Sequence, residues 1–202
     1  MLSARDITLV TDAIEQAEKR TSGEIVVVVA RASDEYTFIP LLWASMAALA
    51  LPFPLIFLTS LIAIDIYTAQ LAVFLVLALA MSFTSLRYRV VPRRLKNLRV
   101  ERKAAEQFLA RNLHTTRHRT GVLLFVSLAE HRAVVLADDG IASKVSADTW
   151  QAIIDRLTAE IGAGRLAAGL ANAVKECGDL LAESFPPRPD DTDELPNHLI
   201  VL

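Results

Sequence analysis

The sequence contains one cysteine and seven glycines in 202 residues. The single thiol, Cys177, excludes an internal disulfide framework and a cysteine-based zinc cage. Cys177 falls in an apolar stretch and reads as a packed core residue. No P-loop, dinucleotide fingerprint, nucleophile elbow or Cys-x-x-Cys pair occurs in the chain. The most informative deficit is of charge. From Tyr36 to Ile64 there are 29 residues without Asp, Glu, Lys, Arg or His, and after Asp65 there are 21 more from Ile66 to Leu86. About 20 apolar helical residues cross a hydrocarbon core, so each stretch is long enough to span once.

What remains is ordinary in bulk, with 53% apolar residues, 22% charged residues, a net charge of −2 and a mean hydropathy of +0.38. We therefore expect two transmembrane helices, 39–58 and 68–86, joined by a short link at about 59–67 to form a hairpin. A buried pair of core helices is the alternative, but 51 residues with one charge are rare in a soluble chain of this size. The start of the chain is charged and acidic (Asp6, Asp12, Glu15, Glu18), which fits neither a cleaved signal peptide nor a transit peptide. Pro52 and Pro54 mark a kink in the first span or its end near Leu51.

Charge along the chain is segregated. Residues 1–38 carry −3, residues 39–86 carry −1, residues 87–120 carry +9 and residues 121–202 carry −7. The positive-inside rule then places both flanks, and so both termini, in the cytoplasm of a bacterium, with the link outside its inner membrane. Asp65 would lie at the outer interface. With no charge inside either span, a transport path is disfavoured. Anionic lipid headgroups are the natural partner of the basic block, at about 1 kcal/mol per Lys or Arg near the surface. Nucleic acid is not expected, since no aromatic stacking residues interleave with the block.

The remaining sequence alternates helices and strands. Ser3 reads as an N-cap with Asp6 at N3, followed by Ile7, Val10, Ile14 and Ala17 at helical spacing and by Gly23 as a C′ residue. Glu24–Ala30 is a continuous β-branched run, the mark of a strand buried on both faces. Val100–Leu113 reads as a helix, Gly121–Leu128 and Arg132–Ala137 as an antiparallel hairpin, and two further helices follow from Ser146 and from about Leu166 to Ser184. The expected fold class is α/β, a small mixed sheet between helix layers, interrupted by the membrane hairpin. The segments are 1–36 (first part of a cytoplasmic domain), 37–86 (hairpin), 87–104 (basic juxtamembrane segment), 105–185 (second part of the domain) and 186–202 (acidic, proline-containing tail).

Several of these stretches carry a family resemblance. Thr21-Ser-Gly-Glu-Ile-Val-Val-Val-Val29 resembles the first strand of the TPM domain family, and Gly121–Leu136 resembles that family's strand hairpin. Asp138-Asp-Gly-Ile141, with Ala147-Asp148 beyond it, sits where the family has its glycine loop, and Gly164–Leu170 resembles its last helix start. The resemblance covers about residues 7–30 and 105–185. It implies a mixed sheet between helix layers. It also implies either a phosphatase activity, as linked to a thylakoid-lumen member, or an accessory role in maintaining membrane proteins. The chain differs from the family pattern in carrying Asp138-Asp139-Gly140 for Gly-x-Gly and Thr120 for Asn. It differs as well in the cytoplasmic placement that its charges give the domain.

Candidate chemistry centres on Asp138, Asp139 and Asp148. Carboxylates at a strand end could hold Ca²⁺ or Mg²⁺ through oxygen ligands and polarise a phosphoryl group, with Asp138 and Asp139 as catalytic candidates. The same residues equally suit a turn and a helix N-terminus. Arg93, Arg94, Lys96, Arg117 and Arg119 are candidate phosphate or headgroup ligands, the last two beside Thr115, Thr116 and Thr120. His114, His118 and His131 lack the metalloprotease pattern. Two functions follow from these readings. The first is a membrane-anchored domain that binds or helps maintain another membrane protein. The alternative is a metal-dependent phosphatase using the Asp138/Asp139 loop.

Overall fold

The computed structural model describes residues 2–83, 86–187 and 199–202. In chain order the elements are α1 (Ala4–Glu18), β1 (Glu24–Ala30), α2 (Phe38–Ala50), α3 (Pro52–Leu58), α4 (Ala63–Phe83), α5 (Leu86–Val90) and α6 (Arg93–Ala110). A 3₁₀ turn (Leu113–Thr115) precedes β2 (Gly121–Ser127), β3 (Arg132–Ala137), α7 (Asp139–Ala142), α8 (Ala147–Gly162), α9 (Leu166–Ser184) and β4 (Ile200–Val201). Two compact units result. One joins the stretch up to Ser33 to that from Asn97 onward, and the other is Asp34–Lys96.

The first unit is built on a four-stranded mixed sheet in the order β3-β2-β1-β4. β1 runs parallel to β2, with Ile25 opposite Val122 and Val29 opposite Val126, and parallel to β4 on its other side. β2 and β3 form the expected antiparallel hairpin. Every residue of β1 and β2 is buried, because both faces of the sheet are covered. On one face Ile25, Val27, Val29, Val122, Leu124 and Val126 pack with residues of α1, α8 and α9. On the other, Val26, Val28, Leu123 and Phe125 meet Val100, Ala104 and Phe108 of α6. The structure thus has helix layers on both sides of a mixed sheet.

Local signals explain most element ends. Ser3 and Asp6 form a reciprocal capping box at the start of α1, and Ser146 caps α8 by accepting the Thr149 N–H. Gly164, at φ +78°, supplies the left-handed residue after α8. Gly23 does not act as the C′ residue of α1, which ends at Glu18 with Lys19 as its cap and with no positive φ at Gly23. Its lack of a Cβ instead makes room for Leu181, whose Cδ1 would stand 3.0 Å from one. The helix expected over Val100–Leu113 begins seven residues earlier, at Arg93. The basic segment is therefore helical, since nothing in Arg93–Arg99 breaks a helix. Residues 188–198 of the expected tail lie outside the described residues. Beyond them Ile200–Val201 adds a fourth strand that the sequence pattern did not reveal.

In the second unit two helical segments are long and apolar enough to cross a membrane, Phe38–Leu58 and Ala63–Met81. The second begins five residues before the expected start, placing Asp65 in its first turn and shortening the link to Thr59–Ile62. An acid is favoured there by the helix dipole, so Asp65 starts a helix rather than delaying one. Leu51 keeps helical angles between α2 and α3, so the chain turns on through the prolines, which withhold the N–H bonds to Ala48 and Ala50. The buried positions of α2 are Ile39, Pro40, Ala44 and Ala48, and α2 packs along α4. Small residues such as these alanines allow close helix approach. Outside that seam the large side chains are bare, with Phe53, Phe57 and Leu58 more than 70% exposed.

Candidate functional site

The Asp138 loop is positioned by strand register. Gly121 of β2 stands opposite Asp138, whose N–H donates to the Gly121 carbonyl at 2.9 Å. Residues just before β2 therefore meet residues just after β3. Arg119, in the left-handed region at φ 56°, reaches across this corner. Its Nε donates to Asp138 Oδ2 at 2.7 Å, and its Nη2 donates to Asp138 Oδ1 at 2.7 Å and to Asp139 Oδ2 at 2.8 Å. Asp138 also accepts the Asp139 N–H at 2.8 Å, capping the short helix α7. Gly140 permits the close approach of the loop, because a Cβ there would stand 2.5 Å from the Arg119 carbonyl oxygen and 2.7 Å from that of His118.

The electrostatics follow from this packing. Asp138 is 4% exposed, Arg119 is half-exposed and Asp139 is open to solvent. Burial pushes the Asp138 carboxyl up. The Arg119 guanidinium, the Asp139 N–H and the nearby His114 outweigh that and hold it below its ordinary value of 3.8. A carboxyl depressed in the folded state stabilises the protein above its unfolded pKa, and that contribution fades as pH falls through the folded value. The stability lost in Asp138→Asn should therefore be full at neutral pH and shrink as pH drops below about 3.8, readable from paired urea melts. An equal loss at pH 7 and pH 2.5 would contradict this.

The structure brings Asp138 and Asp139 together around Arg119. Asp148 instead stands exposed in the first turn of α8. Among the described residues no three His, Cys, Asp or Glu side chains converge in a group able to hold a metal ion. Both Asp138 oxygens already accept from Arg119, so Ca²⁺ or Mg²⁺ would have to displace a bidentate guanidinium. The donor set as it stands does not fit a divalent cation. The neighbouring threonines are also committed. Thr116 Oγ1 accepts the Thr120 N–H at 3.1 Å, and Thr120 Oγ1 donates to the Ser22 carbonyl at 3.1 Å. Arg117 is exposed in this loop, while Arg93, Arg94 and Lys96 lie in the first turn of α6, in the other unit. His118 and His131 are exposed, and His114 is half-buried. Cys177 is buried as expected, and burial pushes its thiol up to about 12, leaving it unreactive at neutral pH.

A second polar cluster has no pattern in the sequence. At the far end of β1 and β2, Glu130 is 4% exposed and accepts the Ser33 N–H at 3.1 Å and the Ser127 hydroxyl. Ser33 Oγ in turn bonds Ser127 Oγ at 2.9 Å. This buried carboxylate holds the exit of β1 against the β2–β3 turn. The only sequence signal was an acid in a hairpin turn, which ordinarily faces solvent.

These features define a layered α/β domain divided by an apolar helical hairpin. The TPM domain family matches residues 78–180, and the chain belongs to that family. The match includes β2, β3 and the helices around them. The β1 run at Glu24–Ala30 lies outside it, yet is built into the same sheet. The chain is also similar to the NMR structure of the BA42 protein from the psychrophilic bacterium Bizionia argentinensis. The two share 24% identity at a TM-score of 0.62, over 100% of this chain and 95% of that one. That likeness shows the fold. No curated protein matches the chain.

Proposed function

We propose that the hairpin crosses the bacterial inner membrane twice, with both termini cytoplasmic, and that the TPM domain binds or helps maintain another membrane protein. The exposed apolar surface of the hairpin supports insertion, since a soluble protein rarely bares so large a patch. Arg93 and Arg94 sit at a helix N-terminus, where the dipole disfavours cations. Anionic lipid headgroups beside them would offset that cost. The observation that carries the binding reading is the Arg119–Asp138 clamp. It commits the buried carboxylate of the loop to a structural ion pair and makes the loop a fixed corner of the domain surface.

The alternative is a phosphatase working through Asp138 and Asp139, favoured by the open Asp139 beside Arg119 and by the activity linked to a family member. It needs Arg119 to release Asp138. The test is turnover of para-nitrophenyl phosphate by the purified full chain with Ca²⁺ or Mg²⁺. We expect no turnover above buffer, alike for wild type and Asp138→Ala. Turnover that disappears in Asp138→Ala or Asp139→Ala would overturn the binding reading.

A further inference from the structure

The two edges of the sheet are treated differently. The β1 edge is closed by the chain's own end, through β4 and the bond from Arg31 N–H to the Leu202 carbonyl at 3.0 Å. The β3 edge is open. The Asp138-to-Gly121 bond fixes the phase of the β2–β3 ladder, so Arg132, Val134 and Leu136 turn their N–H and C=O groups toward β2. The backbone groups of Ala133 and Val135 consequently point outward, and no other described strand pairs with them. Natural edges are blunted by proline, lysine or a bulge. Between Ala133 and Ala137 this strand has none of the first two, and its pairing with β2 is unbroken.

This edge forms the floor of a cleft of about 490 Å³ inside the first unit. One wall is α6, with Val100 and Glu101, and the other is α8, with Trp150, Ile154 and Asp155. Val100 is fully buried, so the apolar surface near the floor comes from Ile154 on the α8 wall, while each wall carries one exposed acid and Arg132 lines the cleft at the start of the strand. A recessed edge does not suit a second copy, whose own β3 lies between the same two helices, so the walls would collide before the strands met. It suits a single extended segment. Main-chain bonds would come from Ala133 and Val135, side chains of one parity would pack on Ile154 at the α8 wall, and basic side chains of the other parity would answer Glu101 on the α6 wall.

We propose that the β3 edge takes up an extended segment of a partner protein, with alternating apolar and basic residues, as a fifth strand of the sheet. This rests on the partner-binding reading, and the two fail differently. Phosphomonoester turnover that needs Asp138 or Asp139 overturns that reading whatever happens at the edge, whereas the edge is judged by its own amides.

The test uses the full chain in nanodiscs and two ten-residue peptides, one alternating Val and Lys, the other alternating Val and Glu. Amide exchange is followed by NMR. The Val/Lys peptide should slow exchange at Ala133 and Val135 at least tenfold, and more than the Val/Glu peptide does. Val135→Pro removes an outward N–H without breaking a ladder bond, a position where edge strands accept proline, and should weaken binding at least tenfold. The exposed pair Glu101→Lys with Asp155→Lys should reverse the peptide preference and keeps the test valid if Val135→Pro disturbs the fold. Exchange at Ala133 and Val135 that neither peptide alters would overturn the proposal. So would protection that rises with protein concentration in the absence of peptide, which would mark a second copy as the occupant.

Discussion

Phe125→Ala should lower the unfolding free energy of the sheet domain by about 3–5 kcal/mol, the range for emptying a buried aromatic site. Phe125 is fully buried and is the largest such side chain among the described residues. It lies on the α6 face, in a cluster with Val26, Val28, Leu123, Val100, Ala104 and Leu113. That cluster is smaller than the one on the opposite face, where three long helices contribute. With one helix as its roof, the α6 face has few other large side chains to fill the void. The measurement is urea unfolding read from Trp150 fluorescence in a Trp43→Phe background, which isolates the domain's own tryptophan. A loss below about 1 kcal/mol would mean that α6 collapses onto the sheet and that the cluster is loosely packed.

Gly178→Val should cost about 1–3 kcal/mol, for the opposite reason. Gly178 is buried on α9 where that helix crosses α1. A Cβ there would stand 2.6 Å from Ala17 Cβ and 3.1 Å from Ala17 Cα. Neither atom belongs to a flexible side-chain end, so relief requires one helix to move away from the other. Ile14 and Leu181, both fully buried nearby on the same two helices, would lose packing as it did. Gly162→Ala is the matched control, since nothing lies within 4 Å of a Cβ at that site. It should change stability by less than about 0.5 kcal/mol. The same tryptophan-monitored melts serve, and equal effects at the two glycines would show that α1 and α9 are not in close contact.

Much of the architecture was legible because it is written in local patterns. The β-branched run at Glu24–Ala30 announced a strand covered on both faces, and Ser3 with Asp6 announced the start of α1. The three-residue gap at Ala129–His131 excluded a parallel connection between β2 and β3. What stayed hidden depends on partners distant in the chain. The parallel pairing of β1 with β2 joins residues almost 100 positions apart. β4 is two residues long and has no pattern of its own, because the β1 edge supplies its partner. At the site, the sequence shows Asp138 and Asp139 as adjacent acids but not their pairing, since their cation, Arg119, is separated from them by a whole hairpin. Only the register that sets Gly121 against Asp138 brings the three together. The burial of Glu130 is hidden for a related reason. Burial of an acid in a turn is decided by the Ser33 amide and the Ser127 hydroxyl, which the sequence does not place. Asp65 misled in the other direction, as a charge that seemed to end an apolar run but begins a helix.

The proposed role of the TPM domain depends most on the hairpin crossing the membrane with its basic flank in the cytoplasm. Reporter fusions at Glu35, Asp65 and Arg94 test this directly, using one enzyme active only in the cytoplasm and one active only outside it. The charge distribution predicts inside, outside, inside. Three fusions on one side of the membrane would contradict a spanning hairpin, and the reversed pattern would place the TPM domain on the far side.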